Sequence, residues 1–181
     1  MTQKHLFAAF DVSRQVFYRS PISIGIVNLK PLLPGHVLII PRRVVPRLAD
    51  LEPREVTDLF LAVQHVGKVL EEVYKAQALT VSLQDGAVAG QSVPHVHIHL
   101  IPRHPTDYSG NNDEIYPALE RSEAALNSDL KGAGIPQVSG NGNGNGSADG
   151  GMKVPKDEDR RPRTIEEMEE EAEWLSGFFT S

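Results

Sequence analysis

The sequence predicts an α+β fold on three observations. Short runs of apolar residues alternate with polar ones, one long stretch repeats its apolar residues every three or four positions, and a second such stretch closes the chain. Val16-Phe17-Tyr18 and Ile22 to Val27 are rich in β-branched and aromatic residues and read as strands, separated by a turn at Ser20-Pro21. Pro34-Gly35 marks another turn. After it, His36 to Ile40 reads as a strand buried on both faces and ending at Pro41, so His36 stands at a strand's beginning. From Pro53, the residues Val56, Leu59, Phe60, Val63, Val66, Leu70 and Val73 follow helical spacing, and Pro53 suits a first turn where no amide hydrogen bond is lost. Leu79 to Gln84 alternates again, with Leu79, Val81 and Leu83 on one face, and Asp85-Gly86 closes it. The polar stretch from Ala87 to Pro94 leads into His95 to Ile101, an alternating run that stops at Pro102.

From about Asn127 to Arg163 the composition shifts to glycine, with strict Asn-Gly alternation over Asn141 to Gly146. Such a segment buries too little apolar area to offset its ordering entropy, so a disordered insertion is expected over 127–163. Thr164-Ile165-Glu166-Glu167 has the form of a capping box. Ile165, Met168, Ala172, Leu175 and Phe179 would then share one side of a terminal helix. The expected organisation is a folded domain over 1–126, the insertion, and a helix over 164–181 packing on the same domain.

The chain has 181 residues, of which 40% are apolar and 23% charged, enough for one domain with a hydrophobic core. A net charge of −6 argues against a nucleic-acid backbone as the main partner. The absence of cysteine removes disulfides, thiolate metal sites and a cysteine nucleophile. Met1 to His5 lacks the apolar stretch of a signal peptide, and no run is long enough to span a membrane. The expectation is a soluble chain in the cytoplasm or nucleus, without membrane partners.

His95, His97 and His99 alternate, so on a strand their rings leave one face about 6.5–7 Å apart while Val96 and Ile98 face the core. Each ring carries a donor and an acceptor that need partners. Three uses are open: metal binding, a cluster with no chemistry, or nucleophilic attack on phosphorus by a neutral imidazole flanked by two others. Asn28, Gln84, Gln91 and Ser92 are uncharged hydrogen-bonding groups suited to ribose hydroxyls and phosphate oxygens, which favours the third.

His95-Val96-His97-Ile98-His99-Leu100-Ile101 matches the motif His-φ-His-φ-His-φ-φ, and the chain resembles the histidine-triad superfamily in its fragile histidine triad branch. The likeness extends to Val27 to Pro31, Pro34 to Leu38, Leu83 to Gly86, Ala89 to Val93, Pro102-Arg103, Asn112 to Tyr116 and the closing helix. It implies antiparallel strands packed by the Pro53–Tyr74 helix, in a sheet continued across a homodimer. The implied activity is hydrolysis of a dinucleoside polyphosphate, with diadenosine triphosphate split into AMP and ADP.

The resemblance also assigns residues. His97 would be the nucleophile, with His36, His95 and His99 around it. Asn28 would bind ribose, Gln84, Gln91 and Ser92 would lie near sugar and phosphate, and Ile26 and Leu38 would line an adenine pocket. Histidine rather than glutamine at position 99 points to hydrolysis instead of nucleotidyl transfer. No protein-held cofactor or metal is expected, and any Mg²⁺ or Mn²⁺ would arrive on the substrate phosphates. Two rival activities are a purine nucleoside phosphoramidase and a nucleotide-sensing module with slow turnover.

Overall fold

A computed structural model describes residues 4–138 and 160–179. A small hairpin opens the chain, with β1 (Leu6–Phe7) paired antiparallel to β2 (Phe10–Asp11). The main sheet contains β3 (Val16–Arg19), β4 (Ser23–Val27), β5 (Val37–Pro41), β6 (Ala78–Ser82) and β7 (Ile98–Arg103). Its spatial order is β3-β4-β5-β7-β6, with every neighbouring pair antiparallel. The helices are α1 (Pro53–Tyr74), α2 (Ile115–Gly132) and α3 (Ile165–Ser176). The α+β architecture expected from the sequence is thus present. Among the described residues, no helix is long and apolar enough to cross a membrane.

Helix α1 starts where the sequence places it. Glu52 and Glu55 form a reciprocal capping box around Pro53, and Lys75 ends the helix in the left-handed region at φ 56°. Its apolar stripe, Leu59, Ala62, Val63, Val66 and Leu70, is buried on the sheet. The Leu79 side chain lies against Gly67 of α1. Alternation along β6 and its register with β7 and β5 therefore put Val81, Leu100 and Val37 on the α1 side. Ser82, His99, Leu38 and Ile26, which are consecutive cross-strand partners, face away from α1. This second face carries the chemistry.

Several expectations need correction. The ladder of β7 begins at Ile98, so His95 to His97 is a lead-in bonded elsewhere: His95 N–H donates to the Val93 carbonyl at 2.8 Å and Val96 N–H to the Val45 carbonyl at 2.7 Å. The strand passes through Pro102 to Arg103, because the ladder with β5 stops at Leu100 and leaves this end of β7 paired on the β6 side alone, where a missing N–H is tolerated. β6 spans Ala78–Ser82, and at this outer edge Leu79 is only partly buried and Val81 is 49% exposed.

The largest departure is α2, which the sequence reading left out. Ile115, Leu119, Leu126 and Leu130 are buried along one side of it, and the helix crosses the expected boundary at Asn127 to end at Gly132. Beyond it, Asp11 N–H donates to the Pro136 carbonyl at 2.7 Å and Val138 N–H to the Ala9 carbonyl at 2.9 Å, tying this end to the β1-β2 hairpin. At the other end of the expected insertion, Arg160 donates to the carbonyls of Lys30 and Pro31, and Arg163 to that of Asn28. Helical periodicity outlasts the change in composition. The remainder of the expected insertion, 139–159, lies outside the described residues.

The capping box at Thr164 and Glu167 forms as read, burying Met168, Ala172 and Leu175. Gly35 turns the chain into β5 at φ +81°, where an added Cβ would meet the Tyr74 ring at 2.7 Å and Pro102 at 2.9 Å. Gly35→Ala should therefore destabilise the fold by about 2 kcal/mol or more. Urea unfolding checks this, and an unchanged midpoint would contradict the packing described.

Candidate active site

Three imidazoles converge on the face turned from α1. The His97 and His99 rings are 5.3 Å apart, and the His99 and His36 rings 5.2 Å apart. Alternation puts His97 and His99 on one side of their segment, and the Pro34-Gly35 turn delivers His36 at the start of β5. The Leu32 N–H donates to His36 Nδ1 at 3.1 Å, so a neutral His36 carries its proton on Nε2, 2.9 Å from His99 Nδ1. His99 then carries its proton on Nε2, which faces Glu123 Oε2 at 3.0 Å. The backbone thus fixes a directional relay of three groups.

His97 is set differently. Its Nδ1–H donates to the carbonyl of His95 at 2.7 Å, which leaves the lone pair of a neutral ring on Nε2. That nitrogen lies 2.9 Å from Glu123 Oε2. Ser92 N–H donates to the other Glu123 oxygen at 3.1 Å. Three nitrogens thus converge on one carboxylate, supplied by α2. His97, His99 and Glu123 are each only 1% exposed, so the cluster is sealed from solvent.

His95 departs from its companions. It accepts the Ala8 N–H on Nδ1 at 2.9 Å and donates from Nε2 to the Pro41 carbonyl at 2.9 Å. Its ring is therefore neutral and spliced between the hairpin and β5. Phe7 lies against both His95 and His97, at 5.6 and 5.2 Å between ring centres.

Burial lowers the pKa of His36, and the neighbouring His99 adds to this. Burial likewise lowers His99 and takes His95 down to about 4. For Glu123, burial pushes the carboxyl up, yet the hydrogen bonds from His97 and His99 outweigh it and hold the group well below the usual carboxylate range.

The other expected residues surround this cluster. Asn28 is buried, with Oδ1 accepting the Lys30 N–H at 3.1 Å and Nδ2 3.2 Å from His36 Nε2. Ile26 and Leu38 are both 2% exposed, packed in the core cluster that includes Phe7 and Phe10, so among the described residues they line no open pocket. Gln91 braces its own loop, accepting the Gly86 N–H and donating to the Pro46 carbonyl, both at 2.9 Å. Gln84 Oε1 is buried without a hydrogen-bond partner among the described residues. It lines a cavity of about 270 Å³ together with Ser82, Ala89, Tyr116, Glu120 and Glu123.

Sequence reasoning missed Glu123, Phe7 and Arg163. The spacing of Ile115, Leu119, Leu126 and Leu130 carried the signal for a helix with Glu123 on its buried side. His97, His99 and Glu123 also offer a metal ion three ligand atoms within 4.8 Å of one another. Ligation would consume the His97 Nε2 lone pair, so a permanent metal and a nucleophilic His97 are mutually exclusive uses.

A family model described as the HIT domain matches residues 9–106. The chain is 51% identical to a bis(5'-nucleosyl)-tetraphosphatase (asymmetrical) of Schizosaccharomyces pombe, over 99% of this chain and 97% of the relative. It is 43% identical to a bifunctional bis(5'-adenosyl)-triphosphatase/adenylylsulfatase FHIT of Arabidopsis thaliana, over 92% of this chain and 78% of the relative. Among solved structures it resembles a Plasmodium falciparum diadenosine triphosphate hydrolase in complex with cyclomarin A. The TM-score is 0.65 at 26% identity, covering 99% of this chain and 86% of that one.

The buried histidines set a pH dependence. His36, His95 and His99 all have folded values below the ordinary 6.5, so the unfolded chain binds more protons and stability falls as pH drops below 6.5. The His95 share of this loss is complete near pH 4. Glu123, depressed from 4.5, adds a further loss below that value. His95 alone accounts for about 2 kcal/mol between pH 7 and pH 5. Urea unfolding at the two pH values should show at least this decline, and equal or greater stability at pH 5 would contradict the neutral-ring network.

Proposed function

The chain belongs to the HIT-domain family, and from that membership we propose that it hydrolyses dinucleoside polyphosphates, splitting diadenosine triphosphate into AMP and ADP through a nucleotide carried on His97. The observation that carries this reading is the His95 carbonyl on His97 Nδ1, which leaves Nε2 as the nucleophilic atom in a place ringed by donors. The hydrolase names of the relatives support the substrate class.

In the first displacement the Nε2 lone pair attacks the α-phosphorus, a P–N bond forms, and the P–O bond to ADP breaks with its electron pair leaving on ADP. His99 Nε2–H and Ser92 N–H, which now bond a carboxylate, would donate to the phosphate oxygens and stabilise the charge that builds there. Water then attacks phosphorus, the P–N bond breaks, and AMP departs. His36 positions His99, and His95 positions the segment that carries His97. Asn28, Gln84 and Gln91 would meet ribose and phosphate, and Gln91 also holds its loop in shape. Ile26 and Leu38 would form the floor beneath adenine. Mg²⁺ or Mn²⁺ enters as part of the substrate, on its phosphates. A homodimer that continues the sheet is part of this reading, and the outermost position of β6, with Val81 exposed, supports it.

His97→Asn should keep AMP binding within a few-fold and lower turnover of diadenosine triphosphate by about a thousandfold or more. Chromatography of the wild-type reaction should give AMP and ADP in equal amounts, and AMP with ATP from the tetraphosphate. Near-normal turnover by the variant, or faster cleavage of an adenosine phosphoramidate than of either dinucleotide, would contradict the proposal.

A further inference from the structure

The proposed reaction cannot occur in the conformation described, because His97 and His99 are each 1% exposed and a dinucleotide has no path to them. The β1-β2 hairpin covers His97 with Phe7, and α2 covers the nitrogens that point at substrate. Glu123 brings a carboxylate to the meeting point of His97 Nε2, His99 Nε2 and Ser92 N–H, the three groups that would otherwise meet a phosphate. The helix is fastened there by its backbone as well. Ser92 Oγ donates to the Glu123 carbonyl, and Asn127 N–H donates to Ser92 Oγ at 3.3 Å. A turn further on, Asp129 pairs with Lys30 at 3.4 Å, next to the segment that carries Asn28.

The element also has a hinge. Tyr108 and Ser109 both hold positive φ, 51° and 57°, immediately before Gly110 at 90°. Left-handed backbone at two successive residues other than glycine persists only while surrounding contacts enforce it, so this stretch is poised to relax when α2 leaves. At its far end α2 is held by the hairpin contacts of Pro136 and Val138.

From these observations we propose that α2 is an autoinhibitory lid whose Glu123 carboxylate occupies the position of the substrate's reacting phosphate and masks the nucleophilic nitrogen until a nucleotide displaces it. Only the identity of the displaced ligand rests on the reading of the site as a dinucleotide hydrolase; the closed helix does not. A carboxylate and a phosphate oxygen make the same demand on N–H donors, so nucleotide and Glu123 compete for one set of groups. Affinity for nucleotide is then reduced by the fraction of chains that are closed. The competitor is tethered, so its effective concentration is set by the chain and does not fall on dilution.

The test uses the full chain and two readouts, hydrogen exchange of the 115–132 amides without nucleotide and calorimetric binding of AMP. Glu123→Gln keeps the size of the side chain and removes the charge. It should speed exchange across α2 by about tenfold or more while β7 stays protected, and tighten AMP binding by a similar factor. Asp129→Asn, away from the reacting groups, should move both readouts the same way by a smaller factor. AMP added to the wild-type chain should itself speed exchange in α2. Unchanged exchange in both variants would overturn the lid. Faster exchange with unchanged AMP affinity would overturn the claim that Glu123 stands where the phosphate binds. Loosening of α2 by a chelator alone would show that a metal ion, not the carboxylate, closes the site. If neither variant nor wild type binds AMP while α2 still opens in Glu123→Gln, the reading of the ligand fails and the mobile helix stands.

Discussion

The arrangement depends first on one hydrogen bond, from His97 Nδ1–H to the carbonyl of His95, two residues back on the same segment. A free imidazole exchanges its proton between two nitrogens, and only one choice leaves a lone pair directed into the site. The backbone makes that choice. It can do so because His95 to His97 lies outside the β7 ladder, where the carbonyl of His95 is not taken by a neighbouring strand. Had the ladder begun at His95, that acceptor would have been committed to sheet pairing. His95 keeps the lead-in still through its own two ring nitrogens, one bonded to the hairpin and one to β5.

Sheet register does the rest. Cross-strand partners project to one side, so the pairing of Ile26 with Leu38, Leu38 with His99 and His99 with Ser82 places apolar floor and polar chemistry on the same face. The α1 helix covers the opposite face, and its apolar stripe gives the sheet a support that does not involve the site. The chemical face is left to be covered by the β1-β2 hairpin and α2. One face therefore rests on α1, while the other carries the chemistry beneath the hairpin and α2, whose Leu126 and Leu130 belong to the main core.

Much of this is legible in the sequence, for identifiable reasons. The strands β3, β4 and β5 and the helices α1 and α3 show strong periodicity or capping signals, and the alternating histidines declare their common side. What escapes is short or disguised. The hairpin strands hold two residues each, too few for alternation to register, although Phe7 and Ala8 contact two of the histidines. Helix α2 is hidden because Ser122 and Glu123 occupy positions on its buried side where periodicity asks for apolar residues. A buried glutamate reads as a surface residue until its partners are known. Gln91 illustrates the converse: its type suggests a ligand contact, and its partners show in addition that it closes the loop between Gly86 and Pro46 and reaches the His95 carbonyl at 3.4 Å.

The account stands on His97 Nε2 becoming bonded to phosphorus, and this is directly measurable. Diadenosine triphosphate mixed with the enzyme for milliseconds, quenched in base to preserve a P–N bond and digested for mass spectrometry, should yield an adenylyl group on His97 in the wild-type chain. Steady hydrolysis with no adduct at early times, or an adduct on a different residue, would contradict it.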